Sequence, residues 1–157
     1  MIKDAICRAF EKKRIRGWEK YPRLFIAIDL HDVIIPGTYT LNNEGRKLYP
    51  FADSVLKWMT NRTDICMILY TSSHPKSIED ILFWLGEKGI VFDYVNENPE
   101  CPNTELCDFK KKMYFDVLLE DKAGFNGKED WIEIMSTLQN IGEWDKKTSH
   151  EEKIIKT

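Results

Sequence analysis

The chain has 157 residues, of which 43% are hydrophobic, 12% aromatic and 31% charged, the balance of a globular chain with one packed core and not of a disordered one. Its formal net charge is −3, with 23 lysines and arginines interspersed among 26 aspartates and glutamates, so no broad field of one sign is offered to nucleic acid or to an anionic membrane. No apolar run approaches the roughly 20 residues that span a bilayer, and the N-terminus lacks the apolar stretch of a signal peptide. The expectation is a cytoplasmic protein with reduced thiols at Cys7, Cys66, Cys101 and Cys107.

In chain order, Asp4 to Ile15 places Ala5, Ile6, Ala9 and Phe10 at helical spacing and predicts an amphipathic helix. Its Lys12, Lys13, Arg14 and Arg16 read as a solvated face more readily than as a phosphate-binding patch. Leu24 to Ile28, a continuous apolar run after Pro22, predicts a strand buried on both faces and ending at Asp29. The Gly-, Thr- and Asn-rich stretch from Pro36 to Tyr49 is a loop or flap. Pro50 opens a helix from Phe51 to about Asn61, with Val55, Leu56 and Met59 on one face. A second strand, Ile65 to Tyr70, ends in Thr71-Ser72-Ser73.

A third helix starts around Pro75, carries Ile78, Ile81, Leu82 and Leu85 inward, and stops at Gly89. A short strand from Val91 to Val95, an irregular stretch with Pro99 and Pro102, and a fourth strand from Phe115 to Leu119 follow. After Glu120-Asp121, Gly124 and Gly127 interrupt the chain before a last helix, about Lys128 to Ile141, with Trp131, Ile134, Met135 and Leu138 on its apolar face. Strands alternating with helices demand right-handed crossovers and a mainly parallel sheet. The expected fold is one Rossmann-like, three-layer α/β/α domain, with its core at about residues 24–141 and a polar tail from Glu143 onward.

In such a sheet, ligands bind beyond the carboxyl ends of the strands. Asp29 to Asp32, Thr71 to His74, and Glu120 with Asp121 all fall there. Carboxylates from two strand ends suit a hard cation such as Mg²⁺. Each residue also has a plain structural reading. Asp29 and Asp32 can cap a turn, Thr71 and Ser72 can cap the helix at Pro75, His31 can be structural, and Lys112 belongs to a run of three lysines.

The segment Ala27-Ile28-Asp29-Leu30-His31-Asp32-Val33 resembles the first motif of haloacid dehalogenase-like hydrolases, an apolar strand followed by Asp-x-Asp-Gly and Thr or Val. Thr71 after Met67-Ile68-Leu69-Tyr70 resembles the second motif, Lys112 the lysine of the third, and Val117 to Asp121 the acidic fourth. The resemblance runs from about Leu24 to Phe125, and Ile90 to Asn98 is similar to small capless members from phage and bacterial genomes.

That resemblance implies a capless, Mg²⁺-dependent phosphomonoester phosphohydrolase. Asp29 would be the nucleophile that forms an aspartyl-phosphate. The cation would be held by Asp29, the main-chain carbonyl of His31, and Asp121 or Glu120. Thr71, through its hydroxyl and backbone N–H, with Ser72 and Lys112, would hold the phosphoryl oxygens.

The chain departs from the pattern where His31 replaces the aspartate that serves as general acid and then base, a role an imidazole can fill because it titrates near neutrality. Asp32 stands where glycine is usual, and Glu120-Asp121 where two aspartates are usual. The alternative readings are a catalytically silent phosphate- or nucleotide-binding module and a partner-binding domain that docks through the basic first helix. The substrate is expected to be a phosphorylated small molecule, with a nucleotide or a nucleic-acid end within range of an open site rimmed by Thr38, Tyr39, Arg46 and Lys47.

Overall fold

The computed structural model describes residues 1–16, 22–37 and 45–141. The expected rim residues Thr38 and Tyr39 and the polar tail from Glu143 lie outside them. The order of elements is α1 (Ile2–Arg16), β1 (Leu24–Asp29), α2 (Ala52–Thr60), β2 (Ile65–Tyr70), α3 (Pro75–Glu87), β3 (Tyr94–Val95), β4 (Val117–Leu119) and α4 (Trp131–Ile141), with a 3-10 turn at Asp121–Ala123. The four strands form one parallel sheet in the order β3-β2-β1-β4. With helices flanking that sheet, the α/β, Rossmann-like expectation holds. No helix among the described residues is long and apolar enough to cross a membrane.

The apolar run of the sequence becomes the central strand because β1 has neighbours on both edges. Leu24 pairs with Ile65 and Ile26 with Val117, and Leu24 to Ile28 are all buried. Alternation divides the strand between two cores. Leu24, Ile26 and Ile28 join Ile6, Phe10, Leu56, Ile81, Leu85 and Trp131 from the four helices. Phe25 joins Cys66, Ile68 and Cys101 on the other face, packed against Phe109, Met113, Tyr114 and Phe115 from irregular chain. Cys66 is thus the small core residue its strand context predicts.

Two strands are shorter than the sequence suggests, and in both a carboxylate replaces backbone at the start of the ladder. The Asp93 N–H donates to the Met67 carbonyl at 2.9 Å while its side chain accepts from the Met67 N–H at 2.8 Å, so β3 begins at Tyr94 and not at Val91. Asp116 does the same to Phe25, donating to its carbonyl at 2.8 Å and accepting from its N–H at 2.9 Å, so β4 begins at Val117 and not at Phe115. The last helix begins at Trp131 rather than Lys128, because Asn126 to Asp130 form a turn in which the Asp130 carboxylate accepts from the Asn126 N–H at 2.7 Å.

The basic run of α1 is not a uniform solvated face. Lys13 is buried, with 6% of its side chain exposed, and its ammonium lies 3.0 Å from an equally buried Asp116 carboxylate. Arg14 pairs with Glu11 instead. Ahead of β1, Arg23 bonds Asp93 and Glu100, tying β3 and the irregular segment to the amino end of the sheet.

Candidate active site

At the carboxyl edge Asp29 lies opposite Tyr70, and the preceding Ile28 opposite Leu119. Thr71 and Glu120 therefore flank the end of the central strand from its two neighbours. The structure brings Asp29, Glu120 and Asp121 together, each half-buried, with one carboxylate oxygen from each lying within 4.8 Å of the others. Asp29 Oδ1 also accepts the Leu30 N–H at 2.7 Å.

Burial pushes the Asp29 carboxyl above its ordinary range, and the like charges of Glu120 and Asp121 push the same way against the opposing effects of the Leu30 N–H and Lys122. The ammonium of Lys122, on a largely exposed side chain, sits 3.6 Å from Glu120 and 3.7 Å from Asp121. It supplies from solvent a counter-charge that a cation can replace. An all-oxygen donor set whose charges repel one another at a strand edge fits a hard divalent cation.

The adjacent acids Glu120 and Asp121 differ in their commitments. Glu120 Oε2 accepts the Ala123 N–H at 2.9 Å and caps the 3-10 turn. Asp121 is the first residue of that turn, and its carboxylate meets Lys122 alone among the described contacts. Asp121 is accordingly the freer of the two to meet a cation, and Glu120 the one that shapes the loop.

The segment after Asp29 curls back on itself. The N–H groups of Ile34 and Ile35 both donate to the Leu30 carbonyl, the Asp32 N–H donates to Ile35 at 2.7 Å, and His31 bridges Ile35. Leu30 enters the helix-covered core, whereas Asp29 and His31 on either side of it are half-buried. Asp32 has φ 60°, a left-handed backbone that glycine adopts freely and aspartate is one of the few other residues to tolerate. Its carboxylate accepts from the Gly37 N–H at 2.9 Å and from the Tyr49 hydroxyl at 3.4 Å, holding the loop. A Cβ on Gly37 would fall 2.5 Å from that carboxylate, so a side chain there would displace it.

Trp131 secures the loop from below, its buried indole N–H donating to the Val33 carbonyl at 2.8 Å. Trp131→Phe keeps most of the apolar volume but leaves that carbonyl buried and unpaired. A loss of about 1–3 kcal/mol in urea unfolding is expected, and an unchanged midpoint would show that the bond contributes nothing.

Thr71 is 9% exposed and differs from expectation. Its backbone N–H, expected to meet phosphate, donates to Asn96 Oδ1 at 2.8 Å, and its carbonyl accepts from Asn96 Nδ2 at 2.7 Å. The hydroxyl contacts Ser73 at 3.1 Å. Ser72 is exposed. Neither residue caps α3, where His74 is the N-cap residue and makes no side-chain cap bond.

Lys112 is exposed on the wall of a groove shared with Tyr70, Asn96 and Leu118 and is not part of the acidic cluster. Of the expected rim, Arg46 lies 5.7 Å from the Trp84 ring, docked on α3. Two residues that sequence reasoning passed over matter here. Lys122 is signalled only by being the first cation after the acidic pair, and Asn96 only by being a residue tolerant of its φ of 54°.

No family model and no curated protein matches the chain. A solved structure of a conserved protein from Bacteroides thetaiotaomicron is similar over 75% of this chain and 91% of its own, with a TM-score of 0.58 and 21% identity. At that identity the likeness concerns the fold alone.

Proposed function

We propose that the protein is a magnesium-dependent phosphomonoester phosphohydrolase of the haloacid dehalogenase-like kind. The observation that carries the reading is the meeting of Asp29, at the end of the central strand, with Glu120 and Asp121. Asp29 attacks phosphorus, the bond from phosphorus to the ester oxygen breaks, and that oxygen takes a proton from His31. His31 then removes a proton from water, which attacks phosphorus, releases inorganic phosphate and restores the Asp29 carboxylate. Asp29 and Asp121 would hold a Mg²⁺ ion, which when bound would neutralise charge on the transferring oxygens. A cytoplasmic setting belongs to the same proposal, supported by four free cysteines.

Hydrolysis of p-nitrophenyl phosphate with Mg²⁺ tests the reading, and full activity in excess chelator would exclude it. Asp121→Ala is expected to raise the Mg²⁺ concentration for half-maximal activity by roughly tenfold or more, following loss of one carboxylate ligand, and Glu120→Ala by less. The reverse order would exchange their roles. His31→Asn is expected to slow alkyl phosphates by roughly 10²- to 10⁴-fold, the usual contribution of general acid–base catalysis. The effect on p-nitrophenyl phosphate should be smaller, because its leaving group scarcely needs a proton. Equal effects on both would make His31 structural.

The alternative is a silent phosphate-binding module; the capture of the Thr71 N–H by Asn96 takes one donor away from phosphate and counts against either reading alike. The silent module predicts binding of inorganic phosphate without turnover of any ester.

A further inference from the structure

We propose that the groove beside Asp29 binds single-stranded nucleic acid and presents its terminal phosphate to the reaction centre; this rests on the phosphohydrolase reading and names its substrate class. Asp29 lies opposite Tyr70 and Ala27 opposite Leu118. Paired residues of parallel strands share a sheet face, and every second residue returns to it. Asp29, Tyr70 and Leu118 thus project from the face that carries Phe25 and Ile68, the one covered by irregular chain. Above that face is a groove of about 820 Å³ whose walls include Tyr70, Phe109, Leu118 and the consecutive Lys110, Lys111 and Lys112. It lies in the size range of sites that hold nucleotides and larger ligands.

The lining narrows the occupant. Tyr70 is 42% exposed although it ends an interior strand, and Phe109 lines the same groove. Aromatic rings of this kind stack bases of any identity. The three lysines are exposed, and their one ion pair among the described residues is a 4.0 Å contact of Lys111 with Asp108. In a chain of net charge −3 they are a local excess, with Glu97 the single carboxylate in the lining among the described residues.

The amides in the wall are already committed. Asn96 holds the Thr71 backbone, Asn98 the Tyr114 carbonyl and the Glu100 N–H, and Asn103 bonds Asp108 and the Lys110 N–H. They do not serve as readers of base edges, so the groove works through stacking and charge. A nucleoside monophosphate brings one phosphate, which the reaction centre takes, and leaves Lys110 and Lys111 nothing to neutralise. A strand brings further phosphates to them. An acidic phosphopeptide would meet the lysines but leave the rings unused.

The test is fluorescence anisotropy on the Asp29→Asn protein without Mg²⁺, using octathymidylate with a 5′- or a 3′-phosphate and a fluorophore at the opposite end. Binding should weaken with salt at a log–log slope of about −2, near −0.7 for each phosphate engaged. Lys110→Gln with Lys111→Gln should flatten that slope to about −0.7, and Tyr70→Ala should weaken binding by roughly tenfold, each variant being first checked by circular dichroism. Thymidine monophosphate and a glutamate-rich phosphoserine peptide should compete poorly. Salt-independent binding, parent-like variants, or either competitor matching the oligomer would overturn the proposal. Because the assay needs no turnover, oligomer binding by a protein inert towards every ester sinks the phosphatase reading alone, and ester turnover without oligomer binding sinks the groove alone.

Discussion

Asp29→Asn is expected to abolish turnover while making the protein more stable at neutral pH. The loss should be roughly 10⁴- to 10⁶-fold, the scale on which removal of a single catalytic group acts in a covalent mechanism. The gain in stability has a separate cause. Burial, and then the charges of Glu120 and Asp121, raise the Asp29 carboxyl above its ordinary range. An acid raised in the folded state holds its proton more tightly there than in the unfolded chain. Its contribution to stability is therefore full below the unfolded value and is lost as pH rises through the folded one. At pH 7 the ionised carboxylate opposes folding.

Asparagine is neutral at every pH and keeps an oxygen for the Leu30 N–H, which Asp29 Oδ1 now accepts at 2.7 Å. In chelator at pH 7 the variant should melt above the parent, and the gap should close as pH falls through the carboxylate range. Saturating Mg²⁺ should narrow the gap as well, because a cation offsets the repulsion only where the third carboxylate remains. A variant that melts at or below the parent at pH 7 would mean that the three acids impose no strain on the fold. Retained turnover would remove Asp29 as nucleophile.

Sequence reading carried furthest where a residue's role is set by its neighbours along the chain. Leu24 to Ile28 and Ile65 to Leu69 are continuous apolar runs, and the structure buries every one of these residues in paired strands. The polar groups that end the strands follow from the same pattern, which is why Asp29, Thr71, Glu120 and Asp121 could be named in advance and found at one edge of the sheet. What was not legible depends on partners distant in sequence. Asp93 and Asp116 fall inside runs that read as strands, yet each completes the ladder with its side chain, bonding a backbone N–H of a strand far from it in the chain. Asn96 looks like turn punctuation, yet both ends of its amide hold the Thr71 peptide and withdraw the N–H assigned to phosphate. Asp32 reads as a turn cap standing where the motif it resembles has glycine, and its positive φ turns it towards Gly37 and Tyr49. In each case the side chain substitutes for backbone, and hydrophobic periodicity carries no trace of such a substitution.

Lys13 is the sharpest instance, and its replacement should produce the largest loss of stability. Its ammonium lies 3.0 Å from Asp116 Oδ2, with 6% of either side chain exposed, and 5.2 Å from the Phe25 ring centroid. Asp116 spends its remaining capacity on the Phe25 N–H at 2.9 Å and the Tyr114 hydroxyl at 2.8 Å. Lys13→Met keeps the aliphatic stem of the helix residue and removes only the charge, leaving a carboxylate buried without its cation. Breaking a buried pair from one side costs about 3–5 kcal/mol. For a domain of this size that corresponds to a fall of roughly 6 to 20 °C in melting temperature. The two surviving hydrogen bonds to Asp116 favour the lower end of that range. Asp116→Asn in the Lys13→Met background removes the orphaned charge while keeping an oxygen for the Phe25 N–H, and should recover most of the loss. Urea unfolding of the four proteins in this cycle measures the coupling. A cost below about 1 kcal/mol for Lys13→Met, the scale of an exposed pair, would show that water reaches the carboxylate. The register of β4, and with it the placement of Glu120 and Asp121 beside Asp29, would then have to be held by the apolar residues of the strand alone.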